Sequence, residues 1–91
     1  MTIIAHLGDK LASLISISGA AARGLIKLAI KDEFGPFRQH TQINFKEYKS
    51  ILENSLRVRL KNLNISNIDD VVNQMLDELT LKQSLITMEA L

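Results

Sequence analysis

The sequence predicts an all-α protein, a three- or four-helix bundle formed by one domain over residues 1–91. Three observations favour this class. Apolar residues recur at alternating spacings of three and four, which is the period of an amphipathic helix. Aliphatic residues dominate the apolar content, with 14 Leu and 11 Ile against three Phe, one Tyr and no Trp. The chain also lacks the alternating segments joined by tight turns that indicate β-hairpins, and it has no internal repeat.

The first segment, from about Thr2 to Phe34, predicts a long N-terminal helix. Its stripe is Ile4, Leu7, Leu11, Leu14, Ser18, Ala21, Leu25 and Leu28, widened by Ile15, Ala22 and Ala29. Ser18-Gly19 is where this helix is expected to bend or break, because glycine inside a helix costs about 1 kcal/mol relative to alanine. Gly35 and Pro36 end the segment, since glycine adopts the left-handed closing conformation and proline cannot continue a helix. Residues 36–42 then form a loop.

The second helix is predicted to begin at Asn44. The Asn44 side chain can accept from the backbone near Glu47, and Glu47 can reach back to Asn44, which is a capping box. Ile43 would pack on Tyr48 and fix the direction in which the chain enters the helix. The predicted buried stripe is Tyr48, Ile51, Leu52, Leu56, Leu60 and Leu63. The helix should end over residues 62–64, within a cluster of asparagines.

The third helix is predicted to begin at Ser66 or Asn67. Asp69 and Asp70 fall in its first turn, where the helix dipole favours negative charge. Its predicted apolar face is Ile68, Val71, Val72, Met75, Leu76 and Leu79. From Thr80 onward the apolar spacing fits a helix, although residues 84–88 also fit an extended segment. We expect a helical continuation or a short fourth helix there.

The composition excludes several classes of protein. With no cysteine, the chain forms no disulfide, thiolate zinc site or iron–sulfur cluster and has no cysteine nucleophile. Apolar residues make up 46% of the sequence and the net charge is only +1. A chain kept disordered by few apolar residues and a high net charge is therefore excluded. A domain of this size buries only about 60–65% of the surface of its unfolded chain. We therefore expect the surplus of aliphatic surface to be covered by a neighbour, most simply in a homodimer.

A row of small residues spaced four apart is the first candidate for function. Its members are Gly8, Ala12, Ser16, Ala20 and Gly24. Residues at this spacing form a ridge along which helices pack, and small members let a second backbone come close. The row therefore predicts a tight helix crossing. Two interpretations stay open: the crossing is with another helix of the same chain, or it is the contact between two subunits.

Uneven charge is the second candidate. Residues 1–35 carry a balance of +1, residues 36–64 of +4 and residues 65–91 of −4. The basic segment contains Arg38, Lys46, Lys49, Arg57, Arg59 and Lys61. One interpretation is a basic helix that contacts phosphate or an acidic partner. The interpretation we favour is that the second and third helices lie antiparallel and their opposite charges face each other, since a nucleic-acid-binding domain usually has a strong overall basic excess.

The residues of catalytic and metal sites are not arranged for either role in this sequence. His6, Asp9 and Ser13 share a helix face, but they are accompanied by no oxyanion-hole loop or glycine-rich cradle, so a solvated face is the better interpretation. His6 and His40 lack the spacing that places two imidazoles on one helix face. Acidic pairs at 69–70 and 77–78 lack the glycine-centred loop of a calcium site. We expect no catalytic residue, metal or cofactor.

Nucleic acid and membranes are less favoured partners. Residues 44–79 have the outline of a helix-turn-helix, but the helix that would enter the major groove begins with Asp69 and Asp70, which phosphates repel. The longest uncharged run, Leu11 to Ala22, is twelve residues, and a bilayer-spanning helix needs about 18. Asp9 argues that this run is not part of a cleaved signal peptide. We therefore expect a cytoplasmic protein.

The sequence by itself predicts an assembly module and names no biochemical activity. We expect a non-catalytic helical protein–protein interaction domain, most simply a homodimer. The alternative is a small nucleic-acid-binding regulator that uses the basic second helix. A third interpretation is a subunit that completes a larger complex while holding no chemistry itself.

Overall fold

The structure is a computed structural model that describes residues 2–90, and the side chains of residues 2–89. Over that range it is all-α, which confirms the predicted fold class, with six α-helices, one 3₁₀ turn and no β-strand. The elements are α1 (Ile3–Ile15), α2 (Gly19–Phe34), the 3₁₀ turn (His40–Gln42), α3 (Phe45–Glu53), α4 (Ser55–Asn62), α5 (Ile68–Leu81) and α6 (Gln83–Ala90). Each predicted helix is present, and the first two are each divided into two.

The long N-terminal helix breaks at the predicted place, and the chain bends by 115° between α1 and α2. Ser16 closes α1 in the left-handed conformation, with φ 59° and ψ 47°. Its neighbour Ile17 donates its backbone N–H back to Ala12 O at 3.2 Å, which closes the last turn of α1. Ser18 then caps α2 by accepting from the backbone N–H of Ala21 at 3.1 Å. Two serines thus make the corner that the sequence placed at Ser18-Gly19.

The break changes which side chains of α2 are buried. Beyond it Ala22 and Ala29, which were expected to widen the stripe, are buried, but the central stripe residues are wrong. In α1 the stripe residues Ile4, Leu7 and Leu11 are buried as expected. In α2 the buried residues are Ala22, Ile26, Ala29 and Ile30. The predicted stripe members Ser18 and Ala21 are exposed, Leu25 is half-buried and Leu28 is 42% exposed. A new helix sets its own rotation against the core, so a stripe extrapolated through the corner loses its phase.

The capping box of α3 forms as predicted. The Asn44 side chain accepts from the Glu47 backbone N–H at 2.9 Å, and Glu47 Oε1 accepts from the Asn44 backbone N–H at 3.0 Å. The helix is divided at Asn54, where ψ is −76°, although the hydrogen bonds Asn54 N–H to Ser50 O and Val58 N–H to Asn54 O continue across it. The predicted burial of Leu63 is wrong, because Leu63 is the C-terminal cap of α4 and is 49% exposed.

The C-terminal third also follows the prediction. Asn67 is the N-terminal cap of α5 without a side-chain hydrogen bond, and Asp69 and Asp70 lie in its first turn. Val71, Val72, Met75 and Leu79 are the buried residues of α5. After Lys82 the chain forms a separate short helix, α6, rather than an extended segment, and Leu91 lies outside the described residues.

One core joins all six helices, with Ile86 as the buried residue of α6. The α1–α2 hairpin packs against α3, α4 and α5, and Tyr48 of α3 is fully buried among them. The described residues bury 19 apolar side chains in this core. The accessible surface is 5292 Å², and a monomer of 10.2 kDa is expected to expose about 5300 Å². The chain therefore exposes about the surface expected of a monomer of its mass, and the homodimer stays a prediction.

Among the side chains of residues 2–89, six large apolar ones are exposed on the surface. They are Leu28, Phe37, Val58, Leu63, Leu81 and Met88. Scattered apolar side chains are normal on a protein surface, so only neighbouring ones indicate a contact site. Each of these side chains is therefore relevant to binding only where it lies beside a candidate functional residue.

Candidate functional site

The corner divides the small-residue row into an inner part and an outer part. Gly8 belongs to the inner part and is buried. A Cβ atom at Gly8 would overlap Cγ of Arg23 and would lie 3.3 Å from Cα of Arg23. Gly8 therefore lets α2 approach α1 closely within the same chain. Ala12 is half-buried against the core, and Ser16 occupies the left-handed corner position, so neither extends a continuous row.

Ala20 and Gly24 form the outer part on the far side of α2. Ala20 is exposed, and a Cβ atom at Gly24 would have nothing within 4 Å. Leu28 is one turn further along the same side of the helix and is 42% exposed. The structure thus places Ala20, Gly24 and Leu28 together, and we call these three residues the outer α2 row. It is a notch at Gly24 followed by a projecting leucine.

Leu63 of α4 lies toward the same end of the helix pair as Leu28. The helices α2 and α4 run antiparallel, because Glu33 of α2 contacts Ser55 at the start of α4 and Asp32 contacts Arg59 further along. Leu28 is one turn before Asp32 and Leu63 is one turn after Arg59, so both lie in the same direction from this ion pair. Leu63 is therefore the exposed leucine of the neighbouring helix on the same side of this ion pair as Leu28.

The arginines of the predicted basic patch are used within the chain. Arg38 donates to both carboxylate oxygens of Glu47 at 2.7 and 2.8 Å, and its Cζ lies 4.9 Å from the centre of the Phe34 ring. Arg59 donates to Asp32 at 2.7 and 2.9 Å. Arg57 pairs with Asp69, which is the contact between the second and third predicted helices that charge complementarity favours.

These contacts leave the predicted basic patch with its lysines. Lys46, Lys49 and Lys61 are exposed, and no ion pair involves them within residues 2–90. The six cations are spread over α3, α4 and the preceding loop, and three of them are neutralised by neighbouring carboxylates. The predicted basic patch is therefore reduced to the ammonium groups of these three lysines.

The carboxylates in these pairs are shifted toward their charged form. The Arg59 guanidinium donates to Asp32 and lowers the pKa of Asp32 below its ordinary value. The backbone N–H of Asn44, with a further contribution from Arg38, lowers the pKa of Glu47.

Burial raises the pKa of the Tyr48 hydroxyl, and the charge of Glu89 raises it further. The Tyr48 hydroxyl is fully buried and has no hydrogen-bond partner among residues 2–90.

The polar face of α1 does not gather into a catalytic arrangement. Asp9 Oδ1 lies 3.6 Å from Nη1 of Arg23, so it faces α2. Ser13 is exposed and His6 is half-buried. Across residues 2–90, no three histidine or acidic side chains lie close enough to hold a metal ion.

A cleft between α1, α2, the 3₁₀ turn and α6 was not predicted, and we call it the α2 cleft. Its volume is about 380 Å³, and it is lined by Thr2, Ile4 and Ala5, by Arg23 and Lys27, by His40 and Thr41, and by Glu89. A signal for it is visible in the sequence. Arg23, Lys27 and Lys31 are spaced four apart, so three cations follow one side of α2, although the overall charge of residues 1–35 conceals this.

The comparisons with known proteins do not relate the chain to any of them. No protein-family model matches the sequence, and the searches of curated proteins and of solved structures found no match. Within the described residues, no single helix has the length and hydropathy needed to cross a membrane. The pair α1 and α2 reaches that threshold only when taken together across its 115° corner.

Proposed function

We propose that this protein is a non-catalytic assembly module that forms a homodimer through the outer α2 row. The observation that carries the proposal is the open space above Gly24, where nothing lies within 4 Å of a Cβ atom, next to the exposed Leu28. A notch and a projecting side chain on one helix face are the parts of a close helix crossing. A cytoplasmic location is part of the same proposal.

The outer α2 row is self-complementary in an antiparallel pair. A two-fold axis through Gly24 places each residue opposite the one equally far on the other side of Gly24. Leu28 of one copy then lies over Ala20 of the partner subunit, which is the large residue against the small one. Lys27 of one copy lies opposite Ala21 of the partner subunit, so the Lys27 side chains of the two copies do not meet. The same surface therefore serves both subunits without like-charge contact.

The size of the contact predicts a reversible dimer. A stable interface buries about 800 Å² on each partner. That would be roughly a seventh of the 5292 Å² surface of this chain. A single crossing of 16-residue helices supplies less than this, and the core is closed without it. Dimer formation should therefore depend on protein concentration, while folding of the subunit should not.

The experiment is the solution mass by light scattering over a range of concentrations. The wild-type mass is expected to rise from 10.2 kDa toward twice that value as the concentration increases. Gly24→Glu should remain monomeric, because it places a charge at the centre of the crossing. Ser13→Glu is the matched control, an equal charge change at an exposed position of α1, and it should behave as wild type.

Two results would overturn the proposal. One is a wild-type chain that is monomeric at every concentration. The other is a dimer that Gly24→Glu and Ser13→Glu affect equally, which would place the contact elsewhere. Circular dichroism should show the same helicity for both variants, because neither position is packed in the core. Ala20→Leu gives a further check, since it fills the space that Leu28 of the partner subunit would occupy and should also weaken the dimer.

The alternative, a nucleic-acid-binding regulator, has less support. Three of the six cations in the basic segment are paired within the chain, so few phosphate contacts remain. Titration with duplex DNA at two salt concentrations separates the two functions. Binding that weakens steeply with salt and is lost in Lys46→Gln with Lys49→Gln would favour the regulator over the assembly module.

A further inference from the structure

The walls of the α2 cleft combine an apolar floor with a cationic side. Ile4 and Ala5 of α1 form the apolar part, and Arg23 and Lys27 of α2 stand one turn apart along one wall. His40 and Thr41 of the 3₁₀ turn also line the cleft. A volume of about 380 Å³ is within the range of small-ligand sites, which are largely apolar with a few polar groups that orient the ligand.

The charge in this cleft is not balanced by the chain. Arg23 is partly compensated, since its Nη1 lies 3.6 Å from Asp9. Lys27 is exposed and forms no ion pair within residues 2–90, and its neighbours one turn away on α2 are Arg23 and Lys31, which are also basic. Like charges at this spacing destabilise a helix, so an anion beside Lys27 would relieve a repulsion that is already present.

Glu89 is the acidic residue of the cleft, and it is already engaged. Its Oε1 accepts a hydrogen bond from the backbone N–H of Ile3 at 2.7 Å. Ile3 is the first residue of α1, where the helix dipole favours negative charge. Glu89 therefore neutralises the start of α1 rather than Lys27, and the cleft keeps an excess of positive charge.

We propose that the α2 cleft binds a small organic phosphate, with Lys27 and His40 on the phosphoryl oxygens and the apolar group of the ligand on Ile4 and Ala5. The number of donors favours phosphate over carboxylate. Lys27, His40, Thr41 and Thr2 line the cleft and carry an ammonium, an imidazole and two hydroxyls, of which the Thr2 hydroxyl also accepts from the Ala5 backbone N–H. A phosphate offers these donors three acceptor oxygens, where a carboxylate offers two.

The site is independent of the proposed dimer contact. The outer α2 row is built from Ala20, Gly24 and Leu28, and Lys27 lies beside it on the side of α2 that faces the 3₁₀ turn. The ligand titration is therefore read at a protein concentration where the chain is monomeric, so that Lys27→Gln reports on the α2 cleft alone. Loss of the dimer in Gly24→Glu would not by itself remove the ligand site.

The test is an NMR titration of the full, ¹⁵N-labelled chain with phenyl phosphate. We expect saturable shifts of the amides of Ala5, Lys27 and Thr41. Inorganic phosphate should bind more weakly, because it leaves the apolar floor unused, and benzyl alcohol should not bind. Lys27→Gln should weaken binding about tenfold, the effect of losing one charge-assisted hydrogen bond. Lys49→Gln is the matched control, since Lys49 is exposed on α3 outside the cleft.

The variants and the two phosphate ligands distinguish a specific site from non-specific binding. Specific weakening by Lys27→Gln, and by His40→Ala as a second variant, would support the site. The proposal is overturned if millimolar phenyl phosphate gives no saturable shift, or if Lys27→Gln and Lys49→Gln weaken binding equally. Equal affinity for inorganic and phenyl phosphate would also overturn it, because the apolar floor would then play no part.

Discussion

Two glycines of the same row have opposite surroundings. Gly8 is needed for the close approach of α1 and α2, because a Cβ atom there would overlap Arg23. Gly24 faces open space and has no positive φ angle that would require glycine. The sequence pattern treats both as equal members of one row. The difference lies in what stands above each of them, which spacing along one helix does not reveal.

Alanine substitutions at these glycines should change stability in opposite directions. Gly24→Ala should raise the free energy of unfolding by about 1 kcal/mol, the difference in helix propensity between glycine and alanine. Gly8→Ala should lower it by about 1–3 kcal/mol, as overpacking typically does, since the Arg23 backbone must move. Urea denaturation of the two variants measures both changes. A stabilising Gly8→Ala would contradict the close packing of α1 on α2.

Tyr48 is the most buried polar side chain of the core. Its ring is completely enclosed, and its hydroxyl has no hydrogen-bond partner among residues 2–90. An unpartnered buried hydroxyl costs about 1–3 kcal/mol. The ring therefore stabilises the fold while the hydroxyl opposes it.

Tyr48→Phe should consequently raise the free energy of unfolding by about 1 kcal/mol, because it removes the hydroxyl and keeps the ring. It should also reduce the loss of stability at alkaline pH. The folded pKa of Tyr48 lies above its ordinary value, so the unfolded chain loses this proton first and stability falls as the pH rises above about 10. Thermal unfolding from pH 7 to pH 11 tests both effects. A destabilised Tyr48→Phe would mean that the hydroxyl has a partner.

At the scale of elements, the start of α3 was the most predictable local feature. The spacing of Asn44 and Glu47 is sufficient for a capping box, because its hydrogen bonds join neighbours in sequence. The sequence did not indicate that Arg38 would also bind Glu47, since that contact depends on how the loop returns. Glu47 therefore supports both the helix start and the loop before it.

Glu47 should make stability depend on acidic pH. Its pKa is lowered in the folded protein, so its contribution is present above the ordinary value of 4.5 and is lost as the pH falls through the folded pKa. Asp32 acts in the same direction through Arg59. The thermal midpoint should fall between pH 7 and pH 3, and Glu47→Gln should be less stable than wild type at pH 7 and nearly equal at pH 3. Parallel pH curves for the two proteins would contradict this role.

The divisions within the predicted helices show what a one-dimensional pattern misses. The break near Ser18-Gly19 was predicted from glycine, whereas the division at Asn54 was not, since the apolar spacing continues through it. Glu33 of α2 accepts hydrogen bonds from Ser50 at 2.6 Å and from Ser55 at 2.5 Å, one on each side of that division. A residue 17 positions away in sequence from Ser50 thus holds the ends of α3 and α4 together.

For the molecule as a whole, the distribution of charge along the chain predicted only some of the ion pairs. The basic and acidic segments do contact each other through Arg57 and Asp69. Arg59 instead pairs with Asp32 of α2, and Arg38 with Glu47 of its own segment. The α2 cleft was not predicted from the sequence, because its residues come from four separate elements. The net charge of a segment adds up the residues on all faces of its helices. A binding site depends instead on which helix faces come together in the folded chain.

The amino-acid sequence determined the helical class, the starts of α1, α3 and α5, the place of the break before α2 and the core faces of α1, α3, α4 and α5. Those features depend on contacts within a few residues, where spacing and capping act directly. Tertiary structure decided the phase of α2, the separation of Gly8 from Gly24 and the assembly of the α2 cleft. Each of these depends on the direction of the chain after the corner at Ser16, and a small change of backbone angle there rotates every later side chain relative to the core.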